Sequence, residues 1–359
     1  MTFTSQSSLD GRRLILRGDA SGRIGIGHLM RMLALAQAWL DLGGKAEALV
    51  AEAPDALLER YAREGIDVRR LPAAHPDRRD LDAVVDSLDA DLEARLVVDG
   101  PTFDGPYLDG LARAANRSLI IDDMAMLPRY PVALVLNQNA HAERSDYPTD
   151  DGPAYLLGLP YNLLRREFRA PRKPRRPVPS RARHILLTFG GADPSGMTAR
   201  TLQALASLPE EVRGGLEVTA ILGTATPAAS VRSAVAAGTG LAVTVKRDVA
   251  EMIDWMAWAD LTVTSGGTTV WELASVGTPA LVVETSPAEH HLAGGLARVG
   301  LFDRLGPAAD LDDRALAAAI VRRLDDVSWR TEMARLGPLL VDGHGPARVV
   351  AALAGLGAR

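Results

Sequence analysis

The stretch RGDASGRIGIGHLMR, residues 17–31, follows the apolar run Leu14-Ile15-Leu16 and leads into an amphipathic pattern that continues to Leu42. That succession predicts a strand, a glycine-rich loop and a helix. Gly22, Gly25 and Gly27 allow a tight turn and let backbone N–H groups approach a ligand. The helix would aim its positive N-terminal end at the same point, which suits a phosphate or diphosphate. The spacing is G-x-x-G-x-G, neither the dinucleotide fingerprint nor a Walker loop, and an ordinary strand-to-helix turn uses similar glycines. His28 sets the loop apart. At the start of a helix, positive dipole ends favour the neutral imidazole and leave it able to accept a proton. A histidine there also serves as a purely structural cap, and both readings stand at this point.

Outward from this unit, short apolar runs alternate with helical patterns. Strands are expected at 46–50, 68–71, 96–99, 119–121 and 133–136, with helices at 54–64, 81–92 and 107–115 between them. Strands rich in Val, Ile and Leu separated by helices define a parallel, doubly wound sheet. Ligands of such sheets bind beyond the carboxyl ends of the strands, where Arg17, Asp19, Asp99, Asp122, Asp123, Asn137 and Asn139 fall. Residues 165–183 then bring nine Arg or Lys and four Pro, the composition of a solvated connector.

Alternation restarts after the connector. A strand at 184–189 runs into Gly190-Gly191-Ala192-Asp193-Pro194-Ser195 and a helix at 197–208; strands follow at 217–222, 241–245, 261–264 and 279–283. Ser265-Gly266-Gly267-Thr268-Thr269 opens a further helix, and the remainder is expected to be mainly helical. The two glycine turns, Gly190-Gly191 and Ser265-Gly266-Gly267-Thr268, are candidates to hold a diphosphate. Glu272 lies seven residues beyond Ser265, about two helical turns, and is placed to accept hydrogen bonds from ribose hydroxyls. The domains expected are 1–168, a basic linker 169–183, 184–345 as the nucleotide-binding half, and a terminal helix 346–359 that packs back on the first domain.

With 359 residues, two domains are expected. An apolar fraction of 47% fills two cores, and the net charge of −5 gives no footprint of a general nucleic-acid binder. The chain has no cysteine, which excludes disulfides and cysteine-based metal or thiol chemistry. No apolar run reaches the length needed to span a bilayer and residues 1–13 lack a signal-peptide core, so a cytoplasmic monomer without membrane insertion is expected. Adjacent His290 and His291 point in different directions on a helix and suggest no metal site. Trp255, Trp258 and Trp271 read as packing residues.

The segments RGDASGRIGIGHLMRMLALA (17–36), LIIDDMA (119–125), LNQNAHAERSDYP (136–148), LGLPYNLLRREF (157–168), ILLTFGGADPSGMT (185–198) and SGGTTVWELASVGTPALVV (265–283) resemble, in order, the UDP-2,4-diacetamido-2,4,6-trideoxy-β-L-altropyranose hydrolases of pseudaminic acid biosynthesis. The last segment also resembles the UDP-N-acetylglucosamine transferase of lipid II synthesis, where the matching glutamate holds the nucleotide ribose. The resemblance implies an α/β, GT-B-like fold of two Rossmann-type domains facing across a cleft, with no metal cofactor. It places the family's catalytic histidine on His28. Two departures concern the sugar half: Gly100 stands where the family has a histidine, and Ala288-Glu289 where it has Asn-Gln. The catalytic candidates are therefore His28 and Asp19. The candidates for holding the substrate are Arg17, Gly25, Gly27, Arg31, Asp99, Asp123, Asn137, Asn139 and Arg165 in the first half, and Gly190, Gly191, Ser265, Gly266, Gly267, Thr268, Glu272 and Glu289 in the second. The function expected is hydrolysis of a UDP-linked amino or deoxy sugar at the anomeric carbon. The alternatives are transfer of the sugar to a small acceptor and a binding protein without catalysis.

Overall fold

The computed structural model describes residues 8–21, 24–149, 152–169, 177–223, 226–237, 240–247, 249 and 251–356. The expected part of Gly22 and residues 170–176 of the basic linker lie outside the described residues. The chain forms two compact units, Met1–Arg166 with Gly343–Arg359, and Glu167–Asp342.

Unit 1 is built on seven parallel strands: β1 (Arg13–Gly18), β2 (Lys45–Val50), β3 (Asp67–Arg70), β4 (Arg95–Asp99), β5 (Ser118–Ile121), β6 (Leu134–Asn137) and β7 (Ala154–Leu157). They run in the order β3-β2-β1-β4-β5-β6-β7. Unit 2 holds six: β8 (His184–Thr188), β9 (Glu217–Leu222), β10 (Ala242–Arg247), β11 (Leu261–Ser265), β12 (Ala280–Glu284) and β13 (Asp303–Pro307), in the order β10-β9-β8-β11-β12-β13. Each sheet reverses its winding once, between β1 and β4 in unit 1 and between β8 and β11 in unit 2. Such a reversal opens a crevice at the carboxyl ends of the two strands.

Two strands escape the sequence pattern. β7 is a four-residue edge strand after Pro153, and β13 contains Gly306 and Pro307 and pairs with β12 through a register shift. Edge strands tolerate Gly and Pro because one row of their backbone groups needs no partner.

The helix Gly27–Leu40 is rich in Leu, Met and Ala, residues that favour helix and carry no χ1 penalty from branching at Cβ. Its Leu29, Met32, Leu33, Leu35, Ala36 and Trp39 are buried in one core with Leu14, Leu16, Val97, Leu119 and Leu136 from the sheet. The other face of that sheet is covered by a second cluster around Val84, Leu88, Tyr107 and Leu111. Gly18 brings the helix close to the sheet: a Cβ there would lie 2.9 Å from both the Asp99 carbonyl and the Met32 sulfur. The helix Gly345–Ala354 packs on Gly27–Leu40 and buries Val349, Val350 and Leu353 in the same core. In unit 2 a third core joins Ile185, Leu187, Val218, Val263 and Leu281 to Leu202, Leu205 and Ile320. No helix among the described residues is long and apolar enough to cross a membrane.

Candidate active site

In unit 1 the winding reversal brings the start of the Gly27–Leu40 helix to the end of β4, since Gly18 and Asp99 stand opposite each other in the β1–β4 register. His28 and Arg31, three residues apart and hence on one helix face, both reach Asp99. Arg31 grips it with two bonds of 2.6 Å, and His28 Nδ1 lies 2.8 Å from Oδ1. A carboxylate only accepts, so Nδ1 carries the proton and donates it; the Arg31 Nη2 contact at 3.3 Å is the longer one. This leaves Nε2 as the basic nitrogen, on the far side of a ring whose side chain is 21% exposed. Burial would raise the Asp99 carboxyl, but the charges of Arg31 and His28 outweigh it and hold it down to about 2. Burial likewise works against the Arg31 cation, and Asp123 and Asp99 reverse that and keep it firmly protonated.

The network extends along the strand ends. Arg31 Nη1 donates to Asp123 at 2.7 Å, Asn139 Nδ2 donates to the other Asp123 oxygen at 2.6 Å and to Asn137 Oδ1 at 2.9 Å. Asn137 Nδ2 donates to the Asp123 carbonyl at 3.1 Å and to the Tyr147 hydroxyl at 3.0 Å. Six of the expected residues, His28, Arg31, Asp99, Asp123, Asn137 and Asn139, thus form one connected group. Asp122, the neighbour of Asp123, ties its own loop by accepting Met124 N–H, Met126 N–H and the Tyr130 hydroxyl. Tyr147 was not singled out from sequence, although its segment SDYP was; its pairing with Asn137 is the missing signal.

Two of the candidates in unit 1, Asp19 and Arg17, are engaged within the fold. Asp19 Oδ1 accepts the N–H groups of Ala51 and Glu52 at 2.8 and 3.0 Å and its Oδ2 accepts Arg17 at 2.7 Å, so it ties the β1 and β2 loops together. Burial raises the Asp19 carboxyl, Arg17 more than offsets that, and the net shift is downward, the opposite of what a proton donor needs. Arg17 is fully buried and bonded to Asp80, Asp19 and the Leu49 carbonyl, with its guanidinium 5.0 Å over the Phe103 ring. It is a structural cation, unavailable to a substrate. Gly25 closes the loop by donating to the Ser21 carbonyl at 2.8 Å, Gly27 begins the helix, and Arg165 is buried near the end of unit 1.

In unit 2 the reversal brings together the turns after β8 and β11. Gly190 and Gly191 border open space, but the helix behind them, Met197–Ala206, is capped from within. Asp193 accepts the N–H groups of Met197 and Thr198 at 2.8 and 2.9 Å. A diphosphate therefore finds that helix end occupied by a carboxylate, which corrects the expectation that both glycine turns offer a helix N-terminus. Gly191 also packs on Gly223, where a Cβ would lie 2.4 Å from Gly191 Cα. The helix Thr269–Val276, entered from Ser265, Gly266, Gly267 and Thr268, has no side-chain cap, and Glu272 stands half-buried in its first turn. Glu289, in the first turn of the helix Pro287–Arg298, accepts the Thr285 N–H at 2.6 Å and bonds the Gly266 backbone. Burial pushes its carboxyl up despite those bonds. Trp271 is buried, while Trp255 and Trp258 stack edge to face on each other at 6.0 Å. Among the described residues no group of three or more His, Cys, Asp or Glu is placed to hold a metal ion.

No protein-family model matches the chain. It is 27% identical over 206 residues to the spore coat polysaccharide biosynthesis protein SpsG of Bacillus subtilis, covering 56% of this chain and 57% of that one. It is 21% identical over 272 residues to an uncharacterised protein of Methanocaldococcus jannaschii, covering 74% of this chain and 54% of that one. The chain thus spans a little over half the length of the curated relatives it matches. Among solved structures it is similar to Acinetobacter baumannii MurG, with TM-score 0.64, 16% identity and coverage of 95% and 99%. The spinosyn rhamnosyltransferase SpnG complexed with thymidine diphosphate gives TM-score 0.60, 18% identity and coverage of 95% and 99%. At these identities the likeness establishes the fold: an α/β, GT-B-like chain of two Rossmann-type units.

Proposed function

We propose that this protein is a nucleotide-sugar enzyme that cleaves the bond between the anomeric carbon and the diphosphate and passes the sugar to an acceptor hydroxyl. His28 carries the reading. With Nδ1–H held by Asp99, Nε2 takes the proton of the attacking hydroxyl as the new bond to the anomeric carbon forms and the nucleoside diphosphate departs. Asp99 stabilises the imidazolium that results, as a buried carboxylate does in any such pair. Arg31 fixes Asp99, Asp123 fixes Arg31, and Asn139 and Asn137 hold Asp123. Unit 2, taken by itself, offers a nucleoside diphosphate the uncapped turn before Thr269–Val276, with Glu272 for the ribose. No divalent ion has a part in this scheme. Transfer takes precedence because a structural neighbour is described as a rhamnosyltransferase and a sequence relative as a polysaccharide biosynthesis protein.

Hydrolysis is the second reading, in a pathway to pseudaminic-acid-like sugars, with water in place of the acceptor hydroxyl. It is favoured by the resemblance of the segments 136–148 and 157–168 to the hydrolases of pseudaminic acid biosynthesis, and Asn137, Asn139 and Tyr147 of the first belong to the His28 network. Incubating the protein with UDP- and dTDP-sugars and measuring free nucleoside diphosphate separates the two. Release without any acceptor supports hydrolysis, and release only with an added acceptor supports transfer. No release under either condition, with binding intact, refutes both.

A further inference from the structure

Three tyrosines gather beside the His28 network, where β7 lies along the edge of the unit 1 sheet. Tyr155 on β7 packs on Tyr147 at 5.0 Å between ring centroids, and Tyr130 stands 5.8 Å from Tyr147 and 6.4 Å from Tyr155. Tyr130 and Tyr147 are both 3% exposed. Buried tyrosines fill apolar space with the ring while the hydroxyl takes a polar partner. Two of these hydroxyls are bonded to one residue, Asp122. The Tyr130 hydroxyl donates to its carboxylate at 2.5 Å, and the Tyr147 hydroxyl donates to its carbonyl at 3.0 Å.

Asp122 and Asp123 follow β5 and lead out of the sheet, so their carbonyls need partners that the strands do not supply. Tyr147 takes the first. Asn137 Nδ2, at the end of β6, takes the second at 3.1 Å and also donates to the Tyr147 hydroxyl at 3.0 Å. His141 Nε2 lies 3.2 Å from the same Asp123 carbonyl. The hydroxyl thus stands between strand end and loop, acceptor from one and donor to the other. Burial pushes the Tyr147 phenol up despite the Asn137 bond, so it stays protonated and keeps both roles. From there the contacts run on to the imidazole: Asp123 to Arg31 at 2.7 Å, Arg31 to Asp99 at 2.6 Å, Asp99 to His28 at 2.8 Å.

We propose that Tyr147 is a positioning residue for His28: its hydroxyl fixes the Asp122-Asp123 backbone against β6, and so sets where Arg31 holds Asp99 and where Asp99 holds the imidazole. It acts through these contacts and not by touching a reacting atom. The inference rests on His28 as the base. The effect on rate follows from geometry, since a misplacement of ~1 Å in a catalytic group costs up to about 10²-fold. A tyrosine kept only to pack on Tyr130 and Tyr155 would need its ring and not its hydroxyl.

The test compares Tyr147→Phe, His28→Gln and the double variant with the wild-type chain, following release of nucleoside diphosphate from UDP- and dTDP-sugars. Phenylalanine keeps the ring packing and removes one oxygen. Turnover of Tyr147→Phe falls by about 10–10²-fold with KM nearly unchanged, and the same replacement made in His28→Gln lowers turnover no further. Wild-type turnover in Tyr147→Phe overturns the role of the hydroxyl and leaves His28 as the base. An equal fall in both backgrounds also overturns it, because the hydroxyl then acts elsewhere than on His28. Wild-type turnover in His28→Gln overturns the base and the inference together, as does absence of release by wild type. Should Tyr147→Phe fail to fold, Asn137→Ala, which takes the donor from the same hydroxyl, goes through the same comparison and is read the same way.

Discussion

Replacing His28 by glutamine separates catalysis from scaffolding. Asp99 accepts three side-chain bonds, two from Arg31 at 2.6 Å and one from His28 at 2.8 Å, and the replacement removes only the third. Glutamine restores part of it, so the cost is about 1–2 kcal/mol, near the lower end for a bond to a charged group. For a protein of this size that lowers the melting temperature by a few degrees, roughly 2–4 °C per kcal/mol. Loss of a general base costs about 10²–10⁴ in rate, or about 2.7–5.5 kcal/mol of barrier. Turnover, followed as release of nucleoside diphosphate, is thus expected to fall by two to four decades, about 10²–10⁴, while diphosphate affinity holds. Turnover within a few-fold of wild type would refute His28 as the base. Simultaneous loss of diphosphate binding would make it a phosphate ligand instead.

Other expectations address the remaining parts. Glu272→Ala weakens UDP binding by about 1–3 kcal/mol if the carboxylate holds the ribose, and unchanged calorimetric affinity removes it from the site. Because the Asp99 carboxyl is held at about 2 in the folded chain against about 3.9 unfolded, its contribution is present above pH ~4 and is lost as pH falls towards ~2. That contribution is about 2–3 kcal/mol, and roughly half of it is lost between pH 5 and pH 3; urea midpoints at those two pH values measure that part, and Asp99→Asn should flatten the difference. Gly223→Ala forces a methyl to 2.4 Å from Gly191 and from its carbonyl oxygen, so unit 2 should lose at least about 1–3 kcal/mol. An unchanged melting curve would show that the two turns separate freely.

The fold was legible because strands buried on both faces are written as nearly continuous apolar runs. The strand ends were legible because polar residues follow those runs abruptly, as Asp99 follows Leu96-Val97-Val98. Pairing was not legible. Asp19 is nearer to His28 along the chain, but the register that sets Gly18 opposite Asp99 decides which acid it meets. Arg17 looked available because Asp80, its main partner, lies 63 residues away. Asp193 carried a readable signal, an aspartate just before a helix, that the neighbouring glycines obscured. Glu284 carried the same end-of-strand signal as Asp99, and only Arg304, from the unrecognised strand β13, completes its setting.

Helix Gly345–Ala354 gives the chain a nested architecture: residues 167–342 are an insertion within unit 1, which is closed only when the chain returns at Gly343. Unit 2 can be excised as one continuous segment, whereas a fragment stopping at Arg166 lacks Val349, Val350 and Leu353 from its core. At about 1.5–3 kcal/mol for each large apolar side chain left unburied, that fragment forfeits an amount comparable to a domain's whole stability. The exposed surface would be the back of the very helix that carries His28 and Arg31. An independently folding unit 1 should therefore be made by joining residue 166 to residue 343 through a short linker, not by truncation.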